Sequence, residues 1–109
     1  MNTKKKHDEH TRQIALNSHI IGLDGVVLST GEVNIFEKEK LISQPDNLLF
    51  DPSTKTLYNL EYKCHDRNSQ GHHAEFQLKR AEEVLNNLFP NYKTVNLYVH
   101  DGYKIEVVK

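Results

Sequence analysis

The sequence predicts an α/β fold in which one mixed β-sheet packs against helices. Three observations lead there. "HHAEFQLKRAEEVLNNLF" carries an apolar stripe of Ala74, Leu78, Ala81, Leu85 and Leu88 at helical spacing, and Pro90 stops it. Several short β-prone runs are separated by turn signals. The order along the chain is helix, strands, helix, strands, which suits a sheet with helices against it. At 109 residues the chain is expected to form a single domain over 1–109.

The elements follow in order. "TKKKHDEHTRQIALNSHIIG" reads as a first helix, with Gln13, Leu16 and Ile20 on one line, Glu9 a turn earlier, and Gly22 as the stop. "GVVLS" and "EVNIF" are two short strands around Thr30-Gly31, and "EKEK" (37–40) is a turn or strand edge. "NLLFD" and "TLYNLEYK" are the arms of a hairpin closed by the loop "PSTK". "HDRNSQG" reads as a polar loop before the second helix. "KTVNLYVH" and "YKIEVVK" are the last strands, with Asp101-Gly102 as their turn.

Composition narrows the function classes. The net charge is -1, so a nucleic-acid ligand has to meet locally concentrated positive charge. Lys4, Lys5 and Lys6 form one basic run, a candidate nucleic-acid contact or simply a solvated terminus. Cys64 is the only cysteine, which rules out a disulfide or a thiolate zinc cage within one chain and suits a reducing cytoplasm. No apolar run approaches the roughly 18 residues of a membrane span, and no apolar segment follows the basic start, so neither a membrane helix nor a secretory signal is expected.

The hairpin concentrates the chemistry. If Pro52 to Lys55 are the loop, Asp51 faces Thr56, and counting outward sets Asp46 opposite Glu61. Opposed side chains share a face, roughly 5 Å apart at Cβ, and Lys63 shares it by alternation. A one-residue slip would send Asp46 to the other face. Two carboxylates this close repel and gain by sharing a divalent cation. Magnesium takes oxygen ligands and keeps several waters, so two carboxylates suffice.

Pro45-Asp46 followed by Glu61-Tyr62-Lys63 resembles the PD-(D/E)XK nuclease superfamily, which includes restriction endonucleases, archaeal Holliday-junction resolvases and small VRR-type nucleases. The resemblance runs from the first helix to about Val99. It implies a restriction-endonuclease-like mixed sheet with flanking helices, an α-β-β-β-α-β core. It implies DNA phosphodiester hydrolysis with Mg2+ or Mn2+ held by Asp46 and Glu61, the Tyr62 backbone carbonyl contributing, and Lys63 assisting the attacking water. Many members add an acid on the first helix, matched loosely by Glu9, and a glutamine on the helix after the motif, matched by Gln77. The segment from Gly22 to Ser43 is longer than a minimal member needs. A homodimer acting on duplex or branched DNA is the expected assembly.

Other residues have weaker claims. His65, His72 and His73 can contact phosphate, serve as acid or base, or bind zinc with His7 and His10; surface histidines are the plainer reading. His73 lies one helical turn before Gln77 and borders the same region. Arg80 is a candidate phosphate contact, whereas Lys79 is expected to pair with a glutamate such as Glu82. Asp66 suits a turn or cap, Tyr58 and Tyr62 the core, and Cys64 a small buried position. The rival classes are a non-catalytic nucleic-acid-binding or protein-interaction module on the same fold, and a histidine-based zinc protein.

Overall fold

The computed structural model describes residues 3–63, 67–100 and 103–109, with the backbone alone for Thr3 and 67–73. It is a mixed α/β structure built on a five-stranded sheet and two helices. The helices are α1 (Thr3–Leu16) and α2 (Arg67–Leu88); the strands are β1 (Leu28–Ser29), β2 (Ile35–Glu37), β3 (Lys40–Ser43), β4 (Asn47–Asp51), β5 (Thr56–Lys63), β6 (Lys93–His100) and β7 (Lys104–Val108). A 3-10 turn, Ser18–Ile21, follows α1 and ends at Gly22, whose φ of 80° gives the left-handed cap that glycine adopts without a Cβ penalty.

The sheet runs in the order β1-β4-β5-β6-β7. Only β5 and β6 are parallel, joined by the α2 crossover; the other neighbours are antiparallel. Asp51 faces Thr56 and Asn47 faces Leu60, the register expected from a Pro52–Lys55 loop. Asp51 builds that loop: its Oδ1 accepts from the Ser53 backbone N–H at 3.1 Å and from Ser53 Oγ at 2.6 Å.

Period-2 alternation gives the sheet two apolar faces. Ile14 of α1 and Ile21 pack with Leu49, Leu60, Tyr62, Leu97 and Val99 on one side. On the other side Leu48, Phe50 and Leu57 meet Ala81, Val84 and Leu85 of α2, and Ala74 and Leu78 meet Tyr98. Leu49, Leu57 and Leu60 are fully buried, each worth about 2 kcal/mol in apolar surface removed from water. The central strand β5 is thus sandwiched between helices, and its last residues emerge at the end of the sheet that carries the candidate site.

Several expectations need correction. The face of α1 that packs carries Thr11 and Ile14; Leu16, expected on the packing line, is 69% exposed. The expected loop at "HDRNSQG" is helical from Arg67, and Cys64, His65 and Asp66 lie outside the described residues. That early start puts Gln77 in the third turn of α2, later than expected. The stripe is buried through Leu85, but Leu88 is exposed, and the next residue, Phe89, packs against that core instead. "GVVLS" pairs with the sheet only at Leu28–Ser29, whereas "EKEK" is a turn between strand ends, as expected, at the tip of a separate β2–β3 hairpin. Lys38 and Glu39 both have positive φ there, the geometry of a two-residue hairpin turn. The Asp101-Gly102 turn lies outside the described residues.

Candidate metal centre at the end of the β4–β5 hairpin

Asp46 lies one residue before β4, beyond the last described pair, Asn47 with Leu60. Its backbone N–H donates to Leu60 O at 3.1 Å, one residue short of the partner that the Asn47–Leu60 register would give it, so the regular ladder breaks at Asp46. Asp46 Oδ2 accepts the Tyr62 backbone N–H at 2.7 Å. This bond fixes the carboxylate against the end of β5. Both Asp46 and Glu61 are buried, at 4% and 5% exposure, which is unusual for carboxylates and demands partners.

Those partners are cations. Lys63 Nζ is 3.3 Å from Glu61 Oε1, as the shared face of alternate strand residues requires. His7 of α1 sets its Nε2 3.2 Å from Asp46 Oδ2, and its Nδ1 3.3 Å from Asp8 Oδ1. His7 and His10, one helical turn apart, both stand edge-on to the Tyr62 ring, and His10 Nδ1 bonds the Tyr62 hydroxyl. Tyr62, fully buried as expected, therefore docks α1 on the site strand.

The electrostatics follow from this geometry. Burial, and then the negative charge of Asp46, push the Glu61 carboxyl up to about 8, against the opposing pull of Lys63 and His7. The hydrogen bond to Asp46 holds the His7 imidazolium up to about 9 against the cost of its own burial. A buried carboxyl kept protonated by a neighbouring carboxylate is a group that gains by exchanging its proton for a cation. The donor set fits a hard divalent ion: one carboxylate just before β4 and one near the end of β5, with the Tyr62 carbonyl on the strand carrying Glu61. Among the described residues no cluster of three or more His, Cys, Asp or Glu side chains forms a metal cage. A magnesium-type ion needs none, because water completes its shell.

Asp46, Glu61, Tyr62 and Lys63 are thus brought together. Gln77 lines a cavity of about 260 Å3 with Arg80, Phe76 and residues 41–44, the segment that leads into Pro45-Asp46. Its Oε1 is buried without a hydrogen-bond partner among the described residues, and its backbone O accepts from Ser43 Oγ at 3.5 Å. Glu9 is half exposed on α1, 3.7 Å from Arg12 and accepting from Gln13 Nε2 at 3.0 Å; the helix turns His7, not Glu9, to Asp46. Lys4, Lys5 and Lys6 are exposed on the same helix, Lys4 at 3.4 Å from Asp8. Lys79 reaches Glu82 at 4.0 Å, the pairing expected of it. His65 and the side chains of His72 and His73 lie outside the described residues.

Two residues at this end have roles that the sequence reading does not assign. His7, expected at most as a zinc partner of the other histidines, is the partner of Asp46. His100, level with Lys63 across the parallel pair, stacks on Tyr98 and sits 2.9 Å from Glu106. The β5–β6 register gives His100 its neighbour, and that register was visible only once α2 was known to connect parallel strands. No helix among the described residues is long and apolar enough to cross a membrane. No family model matches the chain, and no match was found among curated proteins or solved structures.

Proposed function

We propose that this chain is a Mg2+- or Mn2+-dependent nuclease of the PD-(D/E)XK type, with a restriction-endonuclease-like fold, that hydrolyses DNA phosphodiester bonds. The observation that carries the reading is the convergence of Asp46, Glu61 and Lys63, with the Glu61 carboxyl held protonated by burial and by Asp46. Asp46 and Glu61 would hold the cation, and the Tyr62 carbonyl would contribute. When bound, the ion lowers the pKa of a water and stabilises charge on a phosphoryl oxygen.

The chain's own groups do the rest. The Tyr62 N–H fixes the Asp46 carboxylate, so its position is set before any ligand arrives. Lys63, mostly buried, orients the attacking water and offsets phosphate charge. His7 balances Asp46 from the α1 side. Gln77 and Arg80 line the adjoining groove, where the glutamine oxygen, without a partner among the described residues, can take a donor from substrate or water. The near-neutral charge balance favours a small footprint on duplex or branched DNA over tight nonspecific binding.

One observation favours a second reading. Both carboxylates already have cationic partners, so the network is satisfied as it stands and suits a non-catalytic module on the same fold. A cleavage assay separates the two. Duplex DNA, single strands, a four-way junction and RNA are incubated with Mg2+ or Mn2+, using wild type, Glu61→Gln and Lys63→Ala. Metal-dependent cutting by wild type, reduced at least about 100-fold in both variants, is the expected result. No cutting on any substrate, with no metal bound, supports the module.

A further inference from the structure

Strand β7 ends the sheet, and no described residue pairs with its outer edge. Such an edge presents a row of backbone N–H and C=O groups ready to pair with another strand. Its side chains do little to deter this. Ile105 and Val107 are 38% and 58% exposed, and Tyr103 just before them is 37% exposed. Alternation sets these three on one face, the α1 side, where the Tyr103 ring packs 5.0 Å from His10. On the opposite face Val108 packs toward Ala74, Leu78 and Tyr98. There a cavity of about 400 Å3 opens between α2 and β7, with Phe76 and Val108 in its wall. Phe76 is 62% exposed on the face that also carries the charged Lys104 and Glu106, so the edge is apolar on the α1 side and mixed on the α2 side.

We propose that β7 pairs antiparallel with β7 of a second copy of this chain, about a two-fold axis at Ile105, joining the two sheets into one. Charge complementarity singles out both the occupant and the register. A strand pairing with itself while keeping both α2 helices on one side opposes residues symmetrically about a central residue. Centred on Lys104 or on Glu106, it sets two like charges face to face. Centred on Ile105, it opposes Lys104 to Glu106 of the second copy, twice over. The same register sets Tyr103 against Val107 and Ile105 against itself, so all the exposed apolar side chains of this strand meet across the seam. Opposite charges and apolar pairs directly opposed are the arrangements that stabilise neighbouring strands. Phe76 flanks the seam on the other face. The inference stands apart from the nuclease reading, since neither charged residue of the seam belongs to the Asp46–Glu61–Lys63 cluster.

Sedimentation equilibrium on the full chain tests it, with melting curves to verify folding. Wild type is expected as a dimer. Lys104→Glu faces Glu106 with a glutamate, and Glu106→Lys faces Lys104 with a lysine, so each variant alone is expected to dissociate at least about tenfold more readily. Mixed in equal amounts they regain opposite charges and are expected to form a heterodimer with wild-type affinity. A monomeric wild type across the micromolar range overturns the proposal and leaves the edge to an extended peptide of another protein. Variants that dimerise as well as wild type, or a mixture that stays monomeric, overturn it equally.

Discussion

Glu61 is the buried carboxyl of the candidate site whose titration is raised, and its environment has a measurable signature. Its folded pKa of about 8 stands above its ordinary value of 4.5, because burial and Asp46 favour the protonated form. That contribution to stability is complete below pH 4.5 and is lost as pH rises through about 8. His7 acts in the same direction: its raised pKa contributes stability that is complete below 6.5 and lost as pH passes about 9. The metal-free fold is therefore expected to weaken steadily between about pH 5 and pH 9. Replacing Glu61 by Gln keeps the shape and removes the titration. Chelator-treated Glu61→Gln is expected to be more stable than wild type at pH 8.5, by on the order of 3 kcal/mol, with the two converging near pH 5. Urea denaturation across that range checks it; parallel pH profiles for the two proteins would mean that Glu61 is not the titrating group.

Among the elements, β5 holds the site in place, and a buried amide network holds β5. Asn59 is fully buried, and its Nδ2 donates to Leu78 O of α2 at 3.1 Å and to Asn96 Oδ1 of β6 at 3.0 Å. Asn96 Nδ2 continues to Glu82 Oε1 at 2.8 Å. These polar groups, two residues before Glu61 on the same face, tie strand, crossover helix and parallel partner together. Asn59→Ala is expected to cost about 2–4 kcal/mol, since it opens a small cavity and leaves Asn96 and the Leu78 carbonyl short of a donor. Thermal unfolding at pH 6 measures this. A loss below about 0.5 kcal/mol would show the network to be replaceable by water. The face of α2 that closes over this strand was legible in its stripe of Ala74, Leu78, Ala81 and Leu85. Its start at Arg67 was not, because Asn68, Ser69 and Gly71 are weak helix formers that the tertiary fold overrides.

At the scale of the whole molecule, His7 of α1 and the Tyr62 N–H of β5 both hold Asp46, so on the proposed metal-binding reading occupancy of the site would be linked to stability of the fold. An ion that binds only the folded chain stabilises it by about 2.7 kcal/mol at a hundred times its dissociation constant. Mg2+ or Mn2+ is expected to raise the melting temperature of wild type and to leave Asp46→Asn unchanged, as differential scanning fluorimetry at pH 7.5 would record. Equal shifts in the two proteins would place the ion elsewhere. Because Glu61 is protonated in the metal-free protein, the shift is also expected to grow as pH rises from 6 toward 8.

Two properties of the chain were settled by its sequence. The four-residue loop Pro52–Lys55 fixes the hairpin register, and a period of two then sets Glu61 and Lys63 on one face whatever the rest of the chain does. The helical stripe of α2 fixes its inner face for the same reason, that local geometry dictates side-chain direction. Tertiary structure decided the rest. α1 has few apolar side chains, so its rotation is set by what the sheet offers: Ile14 enters the core, Tyr62 receives His7 and His10, and Leu16 is left in solvent. The pairing of His7 with Asp46 joins residues far apart in the chain, and no local spacing encodes it. It exists because a buried carboxylate at the end of a strand needs a counter-charge, and the packed helix is the element within reach.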